Sequence, residues 1–258
     1  MADIQIFDLT PENIADYGVC GYKDVKKHAA LRNKIAWFET YYPKGLRIKA
    51  LISQKGGYQG MIEYIPGEYA HRPVNAKGYM FIQCVFVGFK NEFKGQGFAS
   101  LLIEACLEDA RKANLKGVAV VTRKSSFMVG SDIFLKKDFQ VVDRAEPDFS
   151  LLAKKFAAKS KNPRFRPDLQ DRLKPYGKGL TILRSSQCPY TEKNVDAIVE
   201  SAKTKYHLKT TVIDLHDVEE VQNVPCAFGT FCLIHDGQII SHHPISKGRF
   251  ENIMKKIL

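Results

Sequence analysis

The stretch Lys94-Gly95-Gln96-Gly97-Phe98-Ala99-Ser100-Leu101-Leu102 decides the fold class. It follows the dense apolar run Tyr79–Val87, which reads as a buried central strand. It leads into a helix whose apolar stripe is Leu101, Leu102, Ala105, Cys106 and Leu107, stopped by Asn114 to Gly117. Glycines between a buried strand and a helix let backbone N–H groups approach an anion closely, and the helix start adds about half a positive charge. The same glycines suit a plain tight turn. The segment is neither the lysine-ended phosphate loop, which needs Gly-Lys-Ser/Thr, nor the dinucleotide fingerprint, which needs a third glycine and a later acid.

Working outward, a strand is expected at Ile4–Phe7, with Thr10-Pro11-Glu12 starting a helix. A second helix between Asp24 and Tyr42 would bury Leu31, Ile35 and Phe38, and Pro43 and Gly45 end it. Leu46–Ser53 and Tyr58–Ile65 flank Gln54-Lys55-Gly56-Gly57 as a hairpin. After the glycine turn and its helix come a strand at Val118–Thr122, a short helix at Asp132–Lys137 and a strand at Phe139–Asp143. The layout is α/β.

Further on, Leu180–Arg184 reads as a strand, followed by a helix to about Tyr206 and a strand at Lys209–Leu215. Thr230–Ile234 and Gln238–Ser241 form a hairpin around His235-Asp236-Gly237. The helix Ser246–Ile257 carries Phe250, Ile253, Met254 and Ile257 on one side. Between the two regions, residues 157–178 hold three prolines and little apolar periodicity. The expected organisation is a first domain 1–156, a basic linker 157–178 and a second domain 179–258.

Composition narrows the function classes. With 45% hydrophobic residues the 258-residue chain is not disordered. No window of roughly 18 apolar residues suggests a membrane span. The acidic start Met1-Ala2-Asp3 does not read as a signal peptide, so a cytoplasmic address is expected. The six cysteines show no C-x-x-C pair and no zinc-type spacing, so no metal is expected. The net charge of +11 divides unevenly: +6 in residues 1–156, +5 in 157–178 and zero in 179–258. Nearly half the excess lies in the linker, and the remainder accompanies the glycine turn. That division favours a small anionic cofactor over nucleic acid.

The run Phe89-Lys90-Asn91-Glu92-Phe93-Lys94-Gly95-Gln96-Gly97-Phe98-Ala99-Ser100 after a central strand resembles the acetyl-CoA motif of the GCN5-related N-acetyltransferase (GNAT) family. That motif is Arg/Gln-x-x-Gly-x-Gly/Ala; Lys94 stands at its first position, Gly97 at its glycine and Ala99 at its last. Ile133-Phe134-Leu135-Lys136-Lys137-Asp138-Phe139 is similar to the family's Leu-Tyr-x-Lys-x-Gly-Phe. The resemblance implies a mixed sheet with flanking helices and acetyl-CoA as co-substrate. Its diphosphate would rest on the N–H groups of Gly95, Gln96, Gly97, Phe98, Ala99 and Ser100, beside Lys94. Its pantetheine arm would pair with the strand near Val87, Gly88 and Phe89, where a backbone N–H polarises the thioester.

A primary amine, either a small molecule or a peptide N-terminus or lysine, would attack directly. Attack needs a base. Glu63, an acid within apolar Met61-Ile62-Glu63-Tyr64-Ile65, is the first candidate, followed by Glu68, Tyr69 and His71 in the next loop. Phe134 would line the cofactor site where the family often has a proton-donating Tyr. It cannot donate, which leaves CoA binding without turnover as an alternative. The second region, with Cys188-Pro189-Tyr190-Thr191, resembles the thioredoxin-like unit of YoaP-type proteins with a single-thiol glutaredoxin motif. That resemblance implies a reactive Cys188 at a helix start and a thiol redox protein as a second alternative. Cys226 is then the candidate resolving thiol, and Gly229 stands where the facing cis-proline is usual.

Overall fold

The computed structural model describes residues 4–54, 57–88 and 91–258. The chain divides into two compact units, one of the residues up to Ala70 with Val74–Phe165, the other of His71–Pro73 with Arg166–Leu258. Among the described residues the first unit runs β1 (Ile4–Leu9), α1 (Ile14–Tyr17), α2 (Ala29–Tyr41), β2 (Arg47–Ser53), β3 (Gly57–Pro66), β4 (Val74–Asn75), β5 (Met80–Val87), α3 (Phe98–Lys112), β6 (Gly117–Thr122), α4 (Asp132–Leu135), β7 (Gln140–Ala145), β8 (Phe149–Lys155) and β9 (Arg164–Phe165). Seven of these strands form one sheet in the order β1-β2-β3-β5-β6-β8-β7. Every neighbouring pair is antiparallel except β5 and β6, which run parallel and are joined through α3. This is the mixed sheet expected.

The core explains why these segments adopt these elements. Leu102, Ile103, Cys106, Leu107 and Ala110 of α3 recur at helical spacing and pack on Ile62, Tyr64, Ile82, Val118, Val120 and Leu152 of the sheet. Leu101, expected in that stripe, is 53% exposed, because the 3.6-residue period places Ile103 and Ala110 inward instead. On α2, Ile35 is half-buried while Lys34 is fully buried with Leu31, Trp37, Phe38 and Tyr41. Thr10-Pro11-Glu12 forms a turn, and α1 starts later, after Asn13. Strand β8 was not expected at all; it lies between β6 and β7.

The second unit runs β10 (Leu180–Ser185), α5 (Val195–Tyr206), β11 (Thr210–Leu215), α6 (Val218–Gln222), β12 (Phe231–His235), β13 (Gln238–Ser241) and α7 (Lys247–Ile257) among the described residues. Its sheet order is β11-β10-β12-β13, with β10 and β11 parallel and the other pairs antiparallel. Asp236 and Gly237 both take positive φ (45° and 76°), as the β12–β13 turn requires. The segment expected as a linker is fastened to both units and divided between them at Phe165 and Arg166. Tyr79 donates its hydroxyl to Lys161 O at 2.9 Å, and Phe165 pairs with Val74. Arg166 bonds the Gln222 side chain, and Arg172 Nη1 donates to Gln222 O at 2.9 Å. Among the described residues no helix is long and apolar enough to cross a membrane.

Candidate active site

Among the described residues the parallel pair β5–β6 is joined only at Met80↔Val118, Phe81↔Ala119 and Ile82↔Val120, although β5 runs on to Val87. On its other side β5 pairs Glu63↔Cys84 and then Tyr64↔Ile82, so Gln83 is an extra residue in the ladder. Such a bulge bends its strand and sharpens the local twist. Here it falls where β5 parts from β6. Past its last β6 partner, β5 therefore presents an edge at Val85 and Val87, at the carboxyl ends of two parallel strands, the usual ligand crevice of an α/β sheet. Gly88 donates its N–H to Gln59 O at 2.8 Å. By the alternation of an antiparallel ladder, the N–H of Val87, and that of Val85, point to the open side.

Helix α3 begins beside this edge in the chain. Its N-cap is Gly97, φ 82°, with no side-chain cap, and Gly95 has φ 72°. Both are exposed, and a Cβ at either would meet nothing within 4 Å. The N–H groups at the start of a helix lack intrahelical acceptors, so Phe98, Ala99 and Ser100 offer donors there. Lys94 is brought to the same place: a Cβ on Gly88, φ 98°, would lie 2.5 Å from Lys94 Cγ, and Lys94 Nζ donates to Asn91 Oδ1 at 2.8 Å. Val87, Gly88 and the run from Lys94 to Ser100 thus line one continuous rim. Phe89 lies outside the described residues.

Glu63 sits elsewhere in character. It and Lys34 are both 0% exposed and form a buried ion pair between β3 and α2, with the Lys34 ammonium 4.0 Å from the Trp37 ring centroid. Glu63 lies opposite Cys84 in the ladder. Burial, and then the neighbouring Cys20, Cys84 and Glu63, push the Tyr58 phenol well above its usual range. The expected base is therefore sealed in a polar cluster and already accepts from an ammonium. Lys34 was not anticipated. Its signal was present as a lysine inside the stripe Leu31, Phe38, Tyr41 at helical spacing.

Phe134 is likewise moved from cofactor lining to core. It is 0% exposed and packs edge-on against Phe139 at 5.4 Å between ring centroids. Phe134→Tyr is expected to lower stability by about 1–3 kcal/mol, because the added hydroxyl enters an apolar cluster. Turnover should not rise. Thermal unfolding and the initial rate of the variant check both. Asp138, where the family has Gly, holds the left-handed conformation itself at φ 61°, which Asp tolerates better than most side chains.

In the second unit Cys188 is extended (φ −132°, ψ 127°) before a three-residue 3₁₀ turn, and α5 starts only at Val195. The expected helix start at this thiol is absent, so α5's dipole does not act on it. Thr191, in place of a second cysteine, sets its hydroxyl 2.6 Å from Ser185 O and 2.7 Å from Cys188 O, fixing the turn. Gly229 has φ 80°, and a Cβ there would lie 2.7 Å from His71 O and 2.9 Å from Arg72 Cα. Proline fits neither that φ nor that space. Cys226, expected opposite Cys188, places its sulfur on His242. Among the described residues no group of three or more His, Cys, Asp or Glu is placed to hold a metal ion.

Sheet order, bulge, open edge and glycine-led helix give the first unit a mixed α/β architecture, a large sheet with flanking helices, and the second unit is a small mixed-sheet domain. Residues 210–252 match the YoaP-like family. Over 254 residues, 97% of this chain and 98% of the relative, the chain is 27% identical to the uncharacterized N-acetyltransferase YoaP of Bacillus subtilis (strain 168). Similar solved structures include an N-acetyltransferase from Staphylococcus aureus Mu50 (14% identity, 60% of this chain and 100% of that one, TM-score 0.45). Another is the PaiA N-acetyltransferase from Thermoplasma acidophilum in complex with coenzyme A (15% identity, 59% and 99%, TM-score 0.40).

Proposed function

We propose that the chain is an acetyl-CoA-dependent N-acetyltransferase that acts on a primary amine, a small molecule or a peptide amine. The observation that carries this reading is the open edge of β5 beside the uncapped, glycine-led start of α3. The two glycines leave clear space where any side chain would begin, which fits a diphosphate resting on the N–H groups from Gly95 to Ser100. Lys94 adds a positive charge at the rim. The Val87 N–H, directed to the open edge, is placed to hold the thioester oxygen as charge develops on it. Acetyl-CoA supplies the activated acetyl group. The chain's part is to bind, orient and polarise it for direct attack, with no acyl-enzyme.

The amine's proton is left to solvent at the open edge, because Glu63 is sealed by Lys34. CoA is already a fair leaving group, so the burial of Phe134 does not forbid turnover. The test is release of free CoA thiol by the whole protein on addition of a broad amine panel, with acetylated product followed by mass. Thiol release matched by product supports the reading. Acetyl-CoA binding without release across the panel would reduce it to a CoA-binding protein.

A further inference from the structure

The second unit sets two buried sulfurs near the half-buried His242 imidazole, a cluster that acyl transfer does not use. Cys226 lies in the segment between α6 and β12, Cys232 lies on β12, and His242 follows β13 directly. Cys226 is 1% exposed and Cys232 0%. The Cys226 sulfur is 3.2 Å from His242 Nδ1, and the Cys232 thiol is its neighbour. The turn Cys226–Thr230 that brings the two cysteines together is fixed by Gly229 N donating to Cys226 O at 2.9 Å and Thr230 N to Phe228 O at 3.0 Å.

Most buried cysteines are inert packing groups, and Cys106 is one: burial pushes its thiol well above the usual range. Cys226 differs. Burial alone would raise its thiol too, but the neighbouring Cys232, the His242 imidazole and the backbone at Phe228 reverse this and hold it down at about 5. Cys232 is pushed up by burial first and then by Cys226 beside it. The two neighbouring sulfurs are thereby shifted in opposite directions, Cys226 down and Cys232 up.

We propose that Cys226 is a nucleophile toward hydrogen peroxide, with His242 as its imidazole partner and Cys232 as its resolving thiol. The Cys226 thiolate attacks one peroxide oxygen; the O–O bond breaks, Cys226 becomes a sulfenic acid, and hydroxide leaves with the proton of His242 as water. The Cys232 sulfur then attacks Cys226, its proton leaves with the sulfenic oxygen as a second water, and a Cys226–Cys232 disulfide forms. Peroxide is reduced by two electrons and the two sulfurs are oxidised by two. Burial of both sulfurs favours an oxidant as small as peroxide over a bulky disulfide.

The test uses the whole protein, fully reduced, then treated with hydrogen peroxide, alkylated in denaturant and digested with trypsin. Peptide 210–247 carries both cysteines and no other. Its expected product is unalkylated and lighter by two hydrogens, so two of the six alkylatable thiols are lost. Cys232→Ser should trap a dimedone-reactive sulfenic acid at Cys226. His242→Asn should slow oxidation by roughly tenfold or more, since an unassisted thiol is only a few per cent ionised at neutral pH. Full alkylation of both cysteines in peroxide-treated wild type, or a Cys226–Cys188 linkage, would overturn the proposal, and neither readout depends on a variant folding.

Discussion

Gly97→Val is expected to weaken acetyl-CoA binding by about 10- to 100-fold while lowering the melting temperature by only a few degrees. Gly97 holds φ 82° as the N-cap of α3. A branched side chain pays about 1–2 kcal/mol or more in that left-handed region, so the turn relaxes and its N–H groups swing away from a common point. One charge-assisted hydrogen bond to a phosphate contributes about 1.5–3 kcal/mol, and each 1.4 kcal/mol or so is tenfold in Kd. The loss of stability is confined to that backbone strain, because the residue is exposed and its new Cβ would touch nothing within 4 Å. Titration calorimetry reads the loss. Wild-type affinity in the variant would remove the glycine turn from the binding site.

Lys34→Met has the largest expected effect on stability. Lys34 and Glu63 are both 0% exposed, so removing the ammonium leaves a carboxylate buried without its counter-charge. Breaking such a pair costs about 3–5 kcal/mol, whereas replacing both partners with apolar groups is often neutral. For a unit of this size that is a fall of roughly 10 °C in melting temperature. The double variant Lys34→Met, Glu63→Leu should recover most of it. It also separates two roles for Glu63. A general base contributes typically 10²–10⁴-fold; the sealed pair described above predicts that the folded double variant keeps its rate within about tenfold. A loss of a hundredfold or more in that folded variant would return Glu63 to the reaction as its base.

The parts of the fold legible in the sequence are those that local chemistry dictates. Gly95, Gly97 and the Asp236-Gly237 turn need positive φ, and the α3 stripe follows from its period, apart from the one-position slip at Leu101. Strand β8 was hidden because Phe149–Lys155 does not alternate; it is a strand because β6 and β7 pair with it on both sides. The Gln83 bulge was equally hidden, since a bulge exists only in the register of two strands. Lys34 and Glu63 are 29 residues apart, and no local pattern shows that one seals the other. The thiols show the same limit. Cys188 stood out by its motif, while the Cys226–His242 contact depends on the β12–β13 hairpin bringing His242 back.

Amide hydrogen exchange on the whole protein, with and without saturating acetyl-CoA, tests the assigned site most directly. Exchange is expected to slow at Val85 and Val87, on the open edge of β5, and from Gly95 to Ser100 at the start of α3. Unchanged exchange at both places in acetyl-CoA-saturated protein would contradict it.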